Sequence, residues 1–568
     1  MNLPSTYNID ELKTWYQSKQ LTPEQVLQSI SERITEHSDK NIWIKAFDLE
    51  TMLSYLKQAD PKSPLYGIPF AIKDNIDLKE IETTAGCESY TYKPKKSAYV
   101  VEQLIQAGAI PVGKTNMDQF ATGLVGTRSP YGVCHHSTHP DSISGGSSSG
   151  SAVALALGLC AFSLGTDTAG SGRVPAALNQ ICGYKPTPGL LSLEGVVPAC
   201  LSLDTISIFY RESSDLNLLL PIVSKPNPND AFQKSTLKTI DHESKPFASI
   251  DPKSVEWKGD GNFQKYFKQS IQSLKDQNYS IEEVDCEVFF EVARLLYEGP
   301  WVAERYVAVG EFIEKKHKDN DPTVEKIILG AKKLKAIDTF SSMYKLTEKK
   351  LIIENFFKKY RGLLLPTIGG WFTRDEVAEN PVAHNSYLGT FTNFANLLGL
   401  SACSIPVNST IFHNQPGFGL TLFYPGEQDH DVIKASQDIK DSMDYIPLAV
   451  CGAHLKDEPL NHQLTDLGAV FRRCTRTVAK YEMVALSKSK PGMYRIEENG
   501  YAIEVEVWDV PKHHLGTFIN NIDTPLGVGK IEICDGQLVT GFTIENHALE
   551  GLVNISKHGG WRQYKKSI

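Results

Sequence analysis

Apolar residues recur at helical spacing between Ile9 and Ile34. Within that stretch Thr22-Pro23-Glu24 offers an N-cap threonine followed by a proline, whose missing N–H is harmless in the first helical turn. An N-terminal helical layer is predicted. From Gly67 onward the period changes. Short β-rich runs, IPFAIKDNID, AIPVGKTN and AFSLGTDT, alternate with the helical patterns VVEQLIQAG and SAVALALG. This alternation predicts an α/β sheet covered by helices, centred on about residues 60 to 210. A charged, helix-rich segment follows from about Asp260 to Lys358, before the apolar runs LLLPT and LGLSACSIPV return to the core.

Around Lys440 to Leu448 a helical run, VIKASQDIKDSM, gives way to the strand-like IPLAVCGAHL. The pattern predicts a boundary there, with one domain over residues 1–442 and a second over 446–568. The second domain reads as mixed or mainly β. Its alternating runs are separated by Asn499-Gly500 and Asp535-Gly536, which favour tight turns. A chain of 568 residues is too long for one core, so two units fit the length.

Composition narrows the partners. A formal charge of −9 argues against nucleic acid as the main ligand, and the cluster Lys93, Lys95 and Lys96 reads as solvated surface. The longest apolar stretch, Ala152 to Leu164, falls short of the roughly 18 residues needed to span a bilayer and reads as a buried helix running into a buried strand. The opening MNLPSTYNIDELKTWYQ lacks the features of a secretory signal, so a cytoplasmic protein is expected. Ten cysteines without a C-x-x-C pair are expected to be reduced thiols.

The densest chemistry lies in Ile143 to Pro175, ISGGSSSGSAVALALGLCAFSLGTDTAGSGRVP, where two loops of small residues flank one apolar excursion. The second loop, Gly165 to Gly172, follows a strand-like run. Successive backbone N–H groups can converge before Ser171 and form an oxyanion hole, and the small Ala169 and Gly170 let a substrate carbonyl approach. A serine hydroxyl needs a neighbouring base, and no histidine lies in this loop. Lys73, in the apolar run GIPFAIKDNID, is a candidate. An ordinary lysine is neutral at pH 7 only about once in 2,500, a penalty of roughly 4.6 kcal/mol that desolvation lowers. The competing reading of Lys73 is a buried salt bridge to Asp74 or Asp77.

Other motifs are weaker. Gly145 to Gly150 has P-loop glycine spacing, but Ser151-Ala152 stands where Lys-Ser/Thr is needed. Gly146 to Gly150 matches G-x-S-x-G with Ser148 as nucleophile, yet polar, turn-like residues precede it where a strand should lead in. Cys134, His135, His136 and His139 lack a downstream pair at metal-ligand spacing and read as a surface loop.

IPFAIKDNID, GGSSSGSAVA and LGTDTAGSGRVPA resemble the three core segments of the amidase signature family, and the separations of 74 and 24 positions between Lys73, Ser147 and Ser171 are similar. The resemblance covers roughly residues 5 to 435. It implies a Ser-cisSer-Lys triad: Ser171 is the nucleophile, Ser147 relays its proton, and Lys73 is the base. It also implies that N–H groups of Thr168, Ala169, Gly170 and Ser171 hold the oxyanion, without metal or cofactor. Asp167 and Arg173 are expected to pair and fix the loop.

Substrate choice needs further signals. In LYEGPWVAERY, Tyr297 and Arg305 are eight residues apart, about 12 Å along one face of a continuous helix, unless Pro300 starts or kinks it. Such a pair suits a small carboxylated substrate, although an ordinary amphipathic helix fits the spacing as well. CGAHLKDEPLNHQL and the strands after it resemble the C-terminal domain of the allophanate hydrolase family, a γ-glutamylcyclotransferase-like fold. That resemblance implies hydrolysis of allophanate with Tyr297 and Arg305 on its carboxylate, a homodimer, and a functional link to a separate urea carboxylase. His454, Asn461, His462 and Glu504 are the polar candidates in the second domain. The alternatives are an amidase for another carboxylated amide such as malonamate, and a non-catalytic amidase-fold subunit.

Overall fold

The computed structural model describes residues 3–234, 237–238, 245–259, 262–407, 416–487 and 490–568. One compact unit extends to Asp438, and a second runs from Ile439 to Ile568. In the first, eleven strands form one mixed sheet: β1 (Trp43–Ala46), β2 (Pro69–Lys73), β3 (Ile110–Thr115), β4 (Phe162–Asp167), β5 (Cys182–Lys185), β6 (Thr205–Tyr210), β7 (Phe247–Ile250), β8 (Ile281–Val284), β9 (Gly362–Pro366), β10 (Ser401–Pro406) and β11 (Gly419–Tyr424). Their spatial order is β1-β3-β2-β4-β6-β5-β10-β11-β9-β7-β8.

The expected α/β alternation is present. β2 runs parallel to both β3 and β4, and every residue of these three strands is buried, as befits strands covered on both faces. All three therefore end at one rim, with Lys73, Thr115 and Asp167 as their last residues. The carboxyl rim of parallel strands is where open α/β sheets place their ligands. The apolar stretch after the first glycine-rich loop splits as expected into the helix Ser149–Ala156 and β4. At the N-terminus, Thr22 caps the helix Pro23–Glu36 in a reciprocal exchange with Gln25. The helix-rich segment after Lys258 is also found, although Asp260 itself lies outside the described residues.

The second unit has a five-stranded sheet and a three-stranded one. Its strands are β12 (Tyr445–Val450), β13 (Val470–Arg476), β14 (Tyr481–Ala485), β15 (Pro491–Arg495), β16 (Glu504–Pro511), β17 (Leu526–Glu532), β18 (Leu538–Ile544) and β19 (Val553–Asn554). The orders are β13-β16-β12-β18-β17 and β15-β14-β19. Leu448, Val450, Val505, Val507, Ile531 and Trp561 are part of its core. Asp535-Gly536 turns an antiparallel hairpin between β17 and β18, as the dipeptide predicts. Asn499-Gly500 does not join paired strands: β15 pairs with β14 and β16 with β12 and β13, so the chain changes sheets there.

Among the described residues, no helix is long and apolar enough to cross a membrane.

Gly150 lets the helix Ser149–Ala156 pack backbone against backbone. A Cβ there would run into the Ile42 carbonyl oxygen and stand 2.7 Å from Asn116 N. Gly150→Ala is expected to destabilise the first unit by about 1–3 kcal/mol, the usual range for overpacking, read as a lowered melting temperature in calorimetry.

Candidate active site

Lys73 closes β2 and is fully buried. Its Nζ lies 2.8 Å from Ser147 Oγ and donates to Thr166 Oγ1 at 2.7 Å. The carboxylates nearest in sequence are committed elsewhere. Asp74 Oδ1 sits 2.9 Å from Nζ of the equally buried Lys114. Asp77 Oδ1 accepts from the hydroxyls of Thr83 and Tyr92 at 2.8 and 2.6 Å. The salt-bridge reading of Lys73 is therefore set aside: among the described residues it has no carboxylate at ion-pair distance. Burial pushes its pKa down to about 7, against the opposing pull of the Asp118, Asp204 and Asp167 carboxylates, while Arg305 adds a further downward push.

Ser147 is buried, follows a cis peptide bond from Gly146, and accepts from Asp118 N–H at 3.1 Å through its own carbonyl. The next hydroxyl, on Ser148, donates to Thr166 O at 3.1 Å and accepts from Thr166 N–H at 3.3 Å. It is tied to the backbone of β4, which leaves the G-x-S-x-G reading without a free nucleophile.

The loop after β4 is organised by Asp167. Its carboxylate takes two guanidinium bonds from Arg173, Nε to Oδ2 and Nη2 to Oδ1, both at 2.9 Å. It also accepts the N–H groups of Gly170 at 2.8 Å and Gly172 at 3.0 Å. Burial alone would raise this carboxyl, but Arg173 together with the Lys185 charge and the Gly172 N–H holds the group below its ordinary value. The expected pairing of Asp167 with Arg173 is thus present. One part of the expected oxyanion set changes: the N–H of Gly170 is turned toward Asp167. Among the described residues, the N–H groups of Thr168, Ala169 and Ser171 meet no acceptor. Gly170 contributes its backbone instead, with φ of +138° and no room for a Cβ beside Thr392. Ser171 is 3% exposed, and its Oγ donates at 3.4 Å to the carbonyl of Gly123.

Tyr297 and Arg305 do meet, though by a route the spacing did not foresee. They lie on two helices, Glu287–Glu298 and Val302–Ile313, separated by Gly299-Pro300-Trp301. The break folds the chain so that Arg305 Nη2 donates to Tyr297 Oη at 3.4 Å, with the guanidinium over the ring. Arg305 Nη1 donates to Thr122 Oγ1 at 2.9 Å and Ala121 O at 3.3 Å. The turn Ala121-Thr122-Gly123 thereby touches Arg305 at one end and Ser171 at the other. Arg305 is 2% exposed and, among the described residues, makes no ion pair.

Thr166, Asp118, the Thr122-Gly123 turn and Asp204 were not singled out from the sequence. Each acts through a contact distant in the chain, and no spacing rule announces it. Asp204, for example, accepts the Thr168 hydroxyl and the N–H groups of Ala199 and Cys200.

The histidine loop is at the surface only in part: Thr138 and Pro140 are exposed, whereas Cys134 and His136 are not. His136 is buried, its Nε2 bonds Leu178 O at 2.8 Å, and its Nδ1 accepts from the N–H groups of Thr138 and His139. Burial lowers its pKa to about 3, so it stays neutral. In the second unit, His454 is stacked on Phe542 and bonded to Gln463 Oε1, with Asn461 holding its carbonyl. His462 is exposed and bonds Pro459 O, while Glu504 is taken up by Gln563 and Arg562. Of these four, Asn461 and His454 are joined by a hydrogen bond.

The amidase family pattern matches residues 25–430, and that of the allophanate hydrolase C-terminal domain matches residues 446–566. The chain belongs to the amidase family. More narrowly, it is 36% identical to Kluyveromyces lactis allophanate hydrolase, superposing with a TM-score of 0.71 over 99% of each chain. It is 40% identical to urea amidolyase of Saccharomyces cerevisiae over 92% of its own length but 31% of that protein. The chain thus spans about a third of the length of the curated urea amidolyases it matches. A glutamyl-tRNA(Gln) amidotransferase component from Thermotoga maritima, 24% identical with a TM-score of 0.65 over 78% of this chain and 96% of that one, shares the fold.

Replacing Arg173 by Met leaves Asp167 buried without its cation. This variant is expected to lose about 3–5 kcal/mol in denaturant unfolding, the usual result of removing one partner of a buried pair.

Proposed function

We propose that this protein hydrolyses allophanate through an acyl-serine intermediate, with Ser171 as nucleophile, Ser147 as proton relay and Lys73 as base. The observation that carries the substrate reading is Arg305: a buried guanidinium without an ion pair, joined through one short turn to Ser171. Burial works against this cation, and the Asp204 and Glu304 carboxylates favour it without pairing with it, so a substrate carboxylate would be its first direct counter-charge. Tyr297 adds a hydroxyl beside the same guanidinium. The match to the allophanate hydrolase C-terminal domain supports the same choice among carboxylated amides.

In this reading Ser171 Oγ attacks the terminal amide carbonyl of allophanate. Its proton passes through Ser147 to the neutral amine of Lys73. The tetrahedral oxyanion rests on the N–H groups of Thr168, Ala169 and Ser171. Collapse expels ammonia, which takes the proton back along the relay. Water then attacks the acyl-serine by the same route and releases N-carboxycarbamate, which ends as carbon dioxide and ammonia. A cytoplasmic homodimer, served by a urea carboxylase that makes allophanate, completes the proposal.

Ammonia release should strongly favour allophanate over malonamate, glutamine and a simple aliphatic amide at equal concentration; equal rates on all four would reject the substrate assignment. Ser171→Ala should retain its melting temperature and lose turnover, and substantial residual activity would reject the nucleophile. Because the relay needs Lys73 neutral, kcat/KM should rise with pH through an apparent pKa of about 7. Lys73→Met should remove activity across that range.

A further inference from the structure

Asp118 lies just beyond β3, fully buried, at a point where three parts of the site meet. Its N–H holds the Ser147 carbonyl at 3.1 Å. Its carboxylate accepts the N–H groups of Val125 and Gly126 on Oδ2, at 3.2 and 3.1 Å, and of Arg128 on Oδ1 at 3.0 Å. A Cβ at either Gly123 or Gly146 would collide with Oδ2. The carboxylate therefore lies directly against the residue that precedes Ser147 and the residue whose carbonyl meets Ser171. Between them, Phe120 and Ala121 both adopt left-handed backbone, φ of 49° and 52°, which non-glycine residues rarely hold without outside support. Arg128 supplies some of that support by donating to Thr122 O at 3.0 Å.

We infer that Asp118 is a positioning residue that couples the lysine–serine relay to the substrate turn and sets, by its negative charge, the pH at which the relay becomes active. The inference rests on the reading of Lys73 as base. The charged groups that act on Lys73 are Asp118, Asp204 and Asp167, which favour its ammonium form, and Arg305, which opposes it; Asp118 is the strongest of the three carboxylates. Lys114 and Asp74 compensate one another nearby. Burial raises the Asp118 carboxyl above its ordinary value, and the Arg128 cation with the N–H groups of Arg128, Gly126 and Val125 hold that rise in check. The thiol of Cys134, raised to about 12 by burial, stays neutral beside it.

The sign follows from the charges. Removing the Asp118 charge makes the Lys73 ammonium less favourable, so neutral lysine persists to lower pH. The test is the pH profile of kcat/KM for ammonia release from allophanate in the full chain, beside melting temperatures. Asp118→Asn should move the rising limb down by about one pH unit, and Asp118→Glu, which keeps the charge, should leave it in place. A protein that only props the turn would lose rate at every pH and keep the limb in place. A folded Asp118→Asn enzyme with the wild-type limb overturns the inference. Should Asp118→Asn not fold, Asp118→Ser, which removes the same charge, decides by the same measure. Failure of the underlying reading looks different: there Lys73→Met retains the wild-type profile, limb included.

Discussion

The site depends on one lysine amine kept in the interior without a carboxylate partner. Water would hold Lys73 protonated, and so would an ion pair. The fold withholds both. Asp74, adjacent in sequence, is drawn to Lys114 on the neighbouring strand, and Asp77 is occupied by two hydroxyls. Lys73 is left with the neutral oxygens of Ser147 and Thr166, 2.8 and 2.7 Å away. Two buried lysines on adjacent parallel strands thus have opposite surroundings, one paired and one poised near neutrality.

The surrounding loops follow from that arrangement. The loops around Lys73 are held mainly by buried charged side chains that grip backbone N–H groups. Asp167 fixes the loop after β4 through Gly170 and Gly172, and Arg173 fixes Asp167. Asp118 does the same for the turn that reaches both Ser171 and Arg305. Glycines recur where two backbones approach, because a side chain at Gly123, Gly146 or Gly150 has no space. The small-residue character of the sequence is a packing requirement as much as a catalytic one.

The second unit is organised differently. Its sheets enclose their own core, and the polar residues that stood out in its sequence are dispersed, with Glu504 and His462 in local contacts and His454 among aromatic rings. Motif content there marks a domain type more clearly than a set of reacting groups.

The sequence determined the elements whose signal is local. Strand and helix alternation from Gly67 to Tyr210, the capped helix at Thr22 and the hairpin at Asp535-Gly536 rest on short-range pattern and turn chemistry, and they are found where expected. The serines of the two glycine-rich loops stand out for an equally local reason, since a loop of converging N–H groups demands small neighbours. What the tertiary structure decided are the choices between partners. Whether Lys73 pairs with Asp74 depends on Lys114, 41 residues away from it in sequence, and on the parallel register of β2 and β3. Whether Tyr297 and Arg305 lie 12 Å apart along one helix or within hydrogen-bond reach depends on how the chain turns at Gly299-Pro300, which proline permits but does not dictate. Local propensity fixes the shape of a segment, whereas a buried charge is settled by whichever group packs against it from elsewhere in the chain, and that is a property of the folded chain as a whole.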